Sequence, residues 1–212
     1  PEKTQIALTS YYGLVSFVDE LIGKILTAVK SLELEDSTQI IYTSDHGDNI
    51  GERDLWGKSN FFEESIGIPL IIAGPDVPVG KVCKTPVSLI DIYPTILETA
   101  NLSVESRKPG KSLTKIANEQ DNNGRVIFAE YHAMGSKSGG FMIRKGRWKY
   151  VHYVGMRAQL FDLESDPEDM SDLGENHEFA DITQELEGEL RLICNPETVD
   201  KIAKSDQMEI IE

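Results

Sequence analysis

The sequence predicts an α/β chain, with a parallel-sheet portion first and a small α+β subdomain of antiparallel strands after it. Three observations carry this. A segment of helical periodicity runs into a short, continuous β-branched stretch, which is half of a βαβ unit. A second stretch of the same kind follows it, bounded by Gly and Pro. Beyond Asn101 the composition turns polar, and then short strand patterns alternate with turns before one charged helix.

Taken in order, apolar residues between Ser10 and Leu32 fall at Leu14, Val18, Leu21, Ile22, Ile25, Val29 and Leu32. Charged residues lie between them, so one amphipathic helix is expected. Gln39 to Thr43 reads as a strand buried on both faces, and Pro69 to Ala73 as a second, closed by Gly74-Pro75. Leu89, Ile92, Ile96 and Leu97 keep helical spacing, and Pro94 is tolerable only in a first turn, so that helix starts near Ile92. The polar stretch from Ser103 to Gly124 reads as loops and turns. Arg125 to Tyr131 is a strand pattern. Phe141 to Arg144 and Arg147 to Tyr153 flank Lys145-Gly146, a two-residue hairpin signal. Gln159 to Leu163 is a further strand, stopped by Asp166-Pro167, and a charged helix runs from about Glu178 to Leu192.

Charge narrows the function classes. Among 212 residues, 21 Lys and Arg face 36 Asp and Glu, a net charge of −15. Such a chain gains nothing from counterion release, so nucleic acid and anionic membranes are disfavoured as partners. No apolar run approaches the roughly 20 residues of a membrane helix. Pro1-Glu2-Lys3-Thr4 has neither Met nor a leader pattern and reads as an internal cut, so a fragment is expected. Cys83 and Cys194 lack paired spacing; two free thiols in a reducing, cytoplasmic setting are expected, with a periplasmic one left open.

The chemistry concentrates in Thr43-Ser44-Asp45-His46-Gly47-Asp48-Asn49-Ile50-Gly51-Glu52-Arg53, immediately after the first strand. Loops at the carboxyl ends of sheet strands are where ligands collect. Asp45 offers a hard oxygen and His46 an imidazole nitrogen. Neighbours on an extended backbone diverge, so both reach one cation only if the chain turns sharply, which Gly47 permits. Lys58 follows Asp45 by 13 residues, beside Trp56-Gly57, and could present an ammonium to an anion held by the metal. Arg53 is expected to buttress the loop, without a catalytic role. Taken singly, each of these residues has a blander reading as a solvated turn or a surface lysine.

Together they say more. Asp-His-Gly-Asp-x-x-Gly-Glu-Arg, Leu-Trp-Gly-Lys-x-x-x-Phe-Glu, Ile-Pro-Leu-Ile-Ile and Ser-Leu-Ile-Asp-Ile-Tyr-Pro-Thr-Ile-Leu follow one another here. In this order they resemble the sulfatase family of the alkaline phosphatase superfamily. The Asp45-to-Lys58 spacing is most similar to choline sulfatases and phosphonate monoester hydrolases. The helix around Tyr11 to Asp19, and Phe161-Asp162-Leu163-Glu164-Ser165-Asp166-Pro167-Glu168-Asp169 near the C-terminus, resemble family signatures too.

The resemblance implies the C-terminal half of a parallel-sheet sandwich over residues 1–105, and a small antiparallel α+β subdomain with a tail over 106–212. It implies that Asp45 and His46 bind a divalent ion, calcium first and manganese or magnesium as alternatives, and that Lys58 is the catalytic contact to the substrate anion. The implied substrate is a small sulfate ester, with phosphonate or phosphate esters as the nearest rival. The implied nucleophile is a formylglycine made from Cys in a Cys-x-Pro/Ala-x-Arg motif of an N-terminal half that this sequence lacks. Cys194-Asn195-Pro196-Glu197-Thr198 imitates that motif without its Arg, in the wrong half. Two protein ligands cannot complete a calcium shell, so the segment alone is expected to bind metal weakly and to be inactive. A non-catalytic packing or oligomerisation module stays open as another class.

His132, at the end of the strand pattern 126–130, is a candidate substrate contact, set against the commoner fate of a strand-end histidine with a local partner. The acidic tail from Thr198 to Glu212, with Ile202, Met208, Ile210 and Ile211, either lies on a second copy or is disordered.

Overall fold

The computed structural model describes residues 2–105, 109–133 and 136–211. The first part runs α1 (Glu2–Ser31), β1 (Ile40–Thr43), β2 (Asn49–Ile50), β3 (Trp56–Gly57), α2 (Glu63–Ile66), β4 (Leu70–Ala73) and α3 (Ile92–Thr99). The second runs α4 (Leu113–Asn118), β5 (Val126–Tyr131), β6 (Gly140–Lys145), β7 (Trp148–Tyr153), β8 (Gln159–Asp162), α5 (Ala180–Ile193) and α6 (Pro196–Ile211). Helices and strands are mixed in the first part and an antiparallel sheet follows in the second, a mixed α/β architecture. The division expected between 105 and 106 borders residues 106–108, which lie outside the described residues.

One expectation is corrected. β1 and β4 pair antiparallel, Ile40 opposite Ala73 through Thr43 opposite Leu70, not parallel. An apolar run carries no strand direction, and a parallel neighbour needs a crossover of a dozen or more residues, usually helical. The connection here holds the antiparallel ribbon β2–β3, a 3₁₀ turn at Glu52–Asp54 and the single turn α2. Neither strand is covered on both faces within the described residues: Tyr42 and Ile71 are exposed.

β5-β6-β7-β8 form one antiparallel sheet in sequence order. Lys145 opposes Trp148, so the hairpin turn is Gly146-Arg147, one residue later than the dipeptide signal placed it. Gly146 takes φ 56°, which the tight turn demands and which glycine adopts without a Cβ penalty. Side chains alternate across the sheet. Phe141, Ile143, Tyr150 and Leu160 pack with Leu186 and Leu190 of α5, while Met142 and Val151 face the other way and meet Phe61. The second face therefore carries the loop that holds the candidate site.

Two elements were hidden in the polar stretches. α4 is anchored by buried Leu113 and Ile116, too few apolar positions to show a period. The tail is helix α6 and docks on its own chain: the Asp200 carboxylate accepts the Gly139 N–H at 2.7 Å, and Gln207 donates to the His132 carbonyl at 2.5 Å. Arg125 and Asp91 join the two parts. The guanidinium donates to both oxygens of the buried Asp91 carboxylate at 2.6 and 2.9 Å, and that carboxylate also accepts the N–H groups of Ser88 and Lys111.

Candidate active site

The loop leaving β1 folds back so that Asp45 and His46 converge. Asp45 Oδ2 and His46 Nε2 stand 3.7 Å apart. With metal–ligand bonds of roughly 2.0–2.4 Å, two donors at that separation subtend an ordinary coordination angle at one cation. The tautomer suits a ligand: His46 Nδ1 lies 2.7 Å from the Gly47 carbonyl, an acceptor, so Nδ1 carries the proton and Nε2 presents its lone pair. Desolvation pushes the Asp45 carboxyl up. His46, the backbone N–H groups of Asp45 and His46, and Lys58 together outweigh it, so its pKa lies below the ordinary 3.8 and the ligand form prevails.

Gly47 makes the corner possible, though for another reason than a left-handed turn. Its N–H donates to the Ser65 carbonyl at 2.8 Å, and a Cβ on it would stand 2.1 Å from the Glu64 carbonyl oxygen. The corner is thus pressed against α2 backbone to backbone, an approach only glycine allows.

Lys58 leaves β3 directly after Gly57, and its Nζ lies 2.5 Å from His46 Nε2. The ribbon that delivers it is fixed by buried Asn49, whose side-chain amide donates to the Gly57 carbonyl at 2.7 Å. Asp45, His46 and Lys58 open onto a cavity of about 470 Å³ that Phe61, Glu130, Tyr131 and Met142 help to line. His132 does not line it. Its ring packs edge-on against Phe141 at 5.1 Å, and its Nε2 lies 3.4 Å from Glu130. Cys194 sits at the α5–α6 junction against the core; there Asn195 accepts the Thr198 N–H, and Pro196 opens α6.

Among the described residues, no group of three or more His, Cys, Asp or Glu is placed to hold a metal ion. The donor chemistry of Asp45 and His46 fits part of a divalent site and leaves most of the shell to other ligands. Sequence reasoning missed what supports the corner. Lys149 read as part of a basic, aromatic strand, and Asp169 as the end of a signature, yet both are buried beneath α2.

Comparisons with known proteins bear on the family and the fold. Residues 2–102 match the sulfatase family model. The choline-sulfatase of Rhizobium meliloti (strain 1021) is 39% identical over 178 residues, covering 82% of this chain and 34% of that protein. Arylsulfatase K of Mus musculus is 33% identical over 196 residues, covering 87% of this chain and 35% of that protein. The chain thus spans about a third of the length of these curated relatives. Among solved structures, the phosphonate monoester hydrolase of Agrobacterium radiobacter superposes with a TM-score of 0.72 at 27% identity, over 85% of this chain and 39% of that one. BT4656, solved in complex with its substrate D-glucosamine-2-N,6-O-disulfate, gives 0.75 at 27% identity, over 90% and 40%. These matches identify the chain as carrying a sulfatase-family domain.

Proposed function

We propose that this chain supplies the metal-gripping corner and the anion-contacting lysine of an enzyme that hydrolyses small sulfate esters. The observation that supports it is the convergence of Asp45 Oδ2, His46 Nε2 and Lys58 Nζ at the mouth of one cavity. Asp45 and His46 would hold a divalent ion, calcium first with manganese or magnesium as alternatives, which would draw charge from the ester oxygens and from the leaving oxygen. The chain's residues do the holding. Asp45 stays ionised, the Gly47 carbonyl keeps the His46 lone pair outward, and Lys58 adds a second positive charge beside it. The Nε2 lone pair serves one partner at a time, so Lys58, which now meets it at 2.5 Å, would be free to contact the anion when Asp45 and His46 hold a cation. Neither cysteine lines the cavity, so the nucleophile, a formylglycine in this reading, comes from sequence outside residues 1–212.

Calorimetry of the complete enzyme with Mn²⁺ and Ca²⁺ tests the corner. Binding should vanish in Asp45→Ala and persist or tighten in Lys58→Met; binding unchanged by Asp45→Ala overturns the site. The likeness to a phosphonate monoester hydrolase favours a second reading, with phosphonate esters as substrate. Rates of the complete enzyme on aryl sulfate and aryl phosphonate esters rank the two. Under either, Lys58→Met should lower turnover on both esters.

A further inference from the structure

Beneath the corner lies a cluster of charges that none of this chemistry uses. Lys149 of β7 and Asp169 are buried, with 0% and 1% exposure. Lys149 Nζ donates to the Asp169 carboxylate, to Glu63 Oε1 at 2.8 Å and to the Phe61 carbonyl at 2.9 Å. Arg53 donates to Asp169 Oδ1 at 2.8 Å, to Glu64 Oε1 at 2.6 Å and to the Glu168 carbonyl, and its guanidinium lies 4.2 Å from the centre of the Phe62 ring. Arg144 stands 3.7 Å from Glu63. Three cations thus face three carboxylates, the balance that burying so many charges requires.

Desolvation consumes most of the Coulomb gain in such a cluster, so stability is a poor account of it. Geometry is a better one. Arg53 comes from the loop between β2 and β3, Glu63 and Glu64 from α2, and Lys149 and Asp169 from the four-stranded part. α2 is where the corner rests, through the Gly47–Ser65 hydrogen bond and the Glu64 carbonyl over Gly47. The β2–β3 ribbon is what delivers Lys58. Asp45, His46 and Lys58 are therefore each one bonded segment away from the cluster.

We propose that Lys149 and Asp169, acting with Arg53 on α2 and the β2–β3 loop, are positioning residues that set the Asp45–His46 corner and Lys58 from the antiparallel subdomain. This rests on the corner being the site, but its geometry can be read without metal. Hydrogen exchange at the Gly47 amide is the readout. Lys149→Met should speed it at least tenfold and weaken Mn²⁺ binding at least tenfold. A core variant with at least the same loss of Tm, Leu186→Ala, should leave both within twofold. Arg53→Lys keeps the charge but loses the fork, and should speed Gly47 exchange by an intermediate factor; it carries the same comparison should Lys149→Met not fold. Equal effects in the positioning and core variants, or no acceleration in the positioning ones, overturn the proposal. If Asp45→Ala leaves Mn²⁺ binding intact while Lys149→Met still frees Gly47, the site assignment falls and the clamp stands.

Discussion

The four-stranded sheet and the elements α1, β1 and β4 are written in similarly apolar sequence, yet they finish with opposite surfaces. Phe141, Ile143, Leu160 and Leu190 are at 0% exposure, whereas Leu14, Ile25 and Ile71 are at 64%, 63% and 59%. The sheet finds its partner in α5 of the same chain. The outward faces of α1 and β4 meet none among the described residues. A hydrophobic pattern states which face wants covering, and only packing states whether it is covered. Cohesion of the described chain should therefore reside mainly in the sheet. Phe141→Ala is expected to cost about 3–5 kcal/mol, the range for emptying an aromatic core site. Ile25→Ala should change stability by less than about 0.5 kcal/mol. Urea unfolding of both variants measures this, and similar losses would erase the distinction.

Glycines sharpen the same contrast at the next level of effect. Gly47 has the Glu64 carbonyl where its Cβ would go, while Gly13, on exposed α1, has nothing within 4 Å. Gly47→Ala must push the corner off α2, at about 1–3 kcal/mol by analogy with overpacking, and should abolish the Mn²⁺ heat. Gly13→Ala should stabilise, by about 0.5–1 kcal/mol, through helix propensity alone. Thermal melts with paired titrations separate them. Loss of metal binding in both would show that the corner depends on the whole first part and not on one backbone contact.

How far the sequence carries depends on the range of the interaction being read. Local signals held: helical spacing from Leu14 to Leu32, the Pro94 start of α3 and the strand alternation of β5 to β8 all reappear. That Asp45, His46 and Lys58 come together was legible because a motif packs them into a short stretch. Strand direction was not, since the run from Ile40 to Thr43 looks the same paired either way. The hairpin turn slipped by one because Lys145-Gly146 and Gly146-Arg147 both offer the glycine that the turn needs. The charge cluster was invisible for a different reason. Lys149 lies 86 residues from Glu63 and 20 from Asp169, and nothing local marks a lysine as buried. His132 shows the limit from the other side: its place at a strand end is evident in sequence, but the direction of its ring, onto Phe141, is not.

Acid distinguishes the two regions by the smallest margin. On the sheet, the Arg147 guanidinium bonded to the Asp162 carboxylate holds its pKa down to about 2; burial opposes this, while Ser165 and the Glu164 N–H assist. The folded value lies below the unfolded 3.8, so the pair stabilises above about pH 4, and that contribution is lost as pH falls through about 2. Arg147 is partly in solvent, so screening leaves about 1 kcal/mol of it. Asp162→Asn should accordingly be less stable than the parent by that amount at pH 7, and the two should converge below pH 2. On α1, Glu20 and Lys24 pair at 2.6 Å with both side chains mostly in water. Glu20→Gln should cost less than about 0.5 kcal/mol at pH 7, the ordinary worth of an exposed helical pair. Chemical denaturation at pH 7, 4 and 2 gives all three curves. A Glu20→Gln loss as large as that of Asp162→Asn would mean that α1 is held more firmly than its exposed face implies, and the division between a closed and an open region would have to be withdrawn.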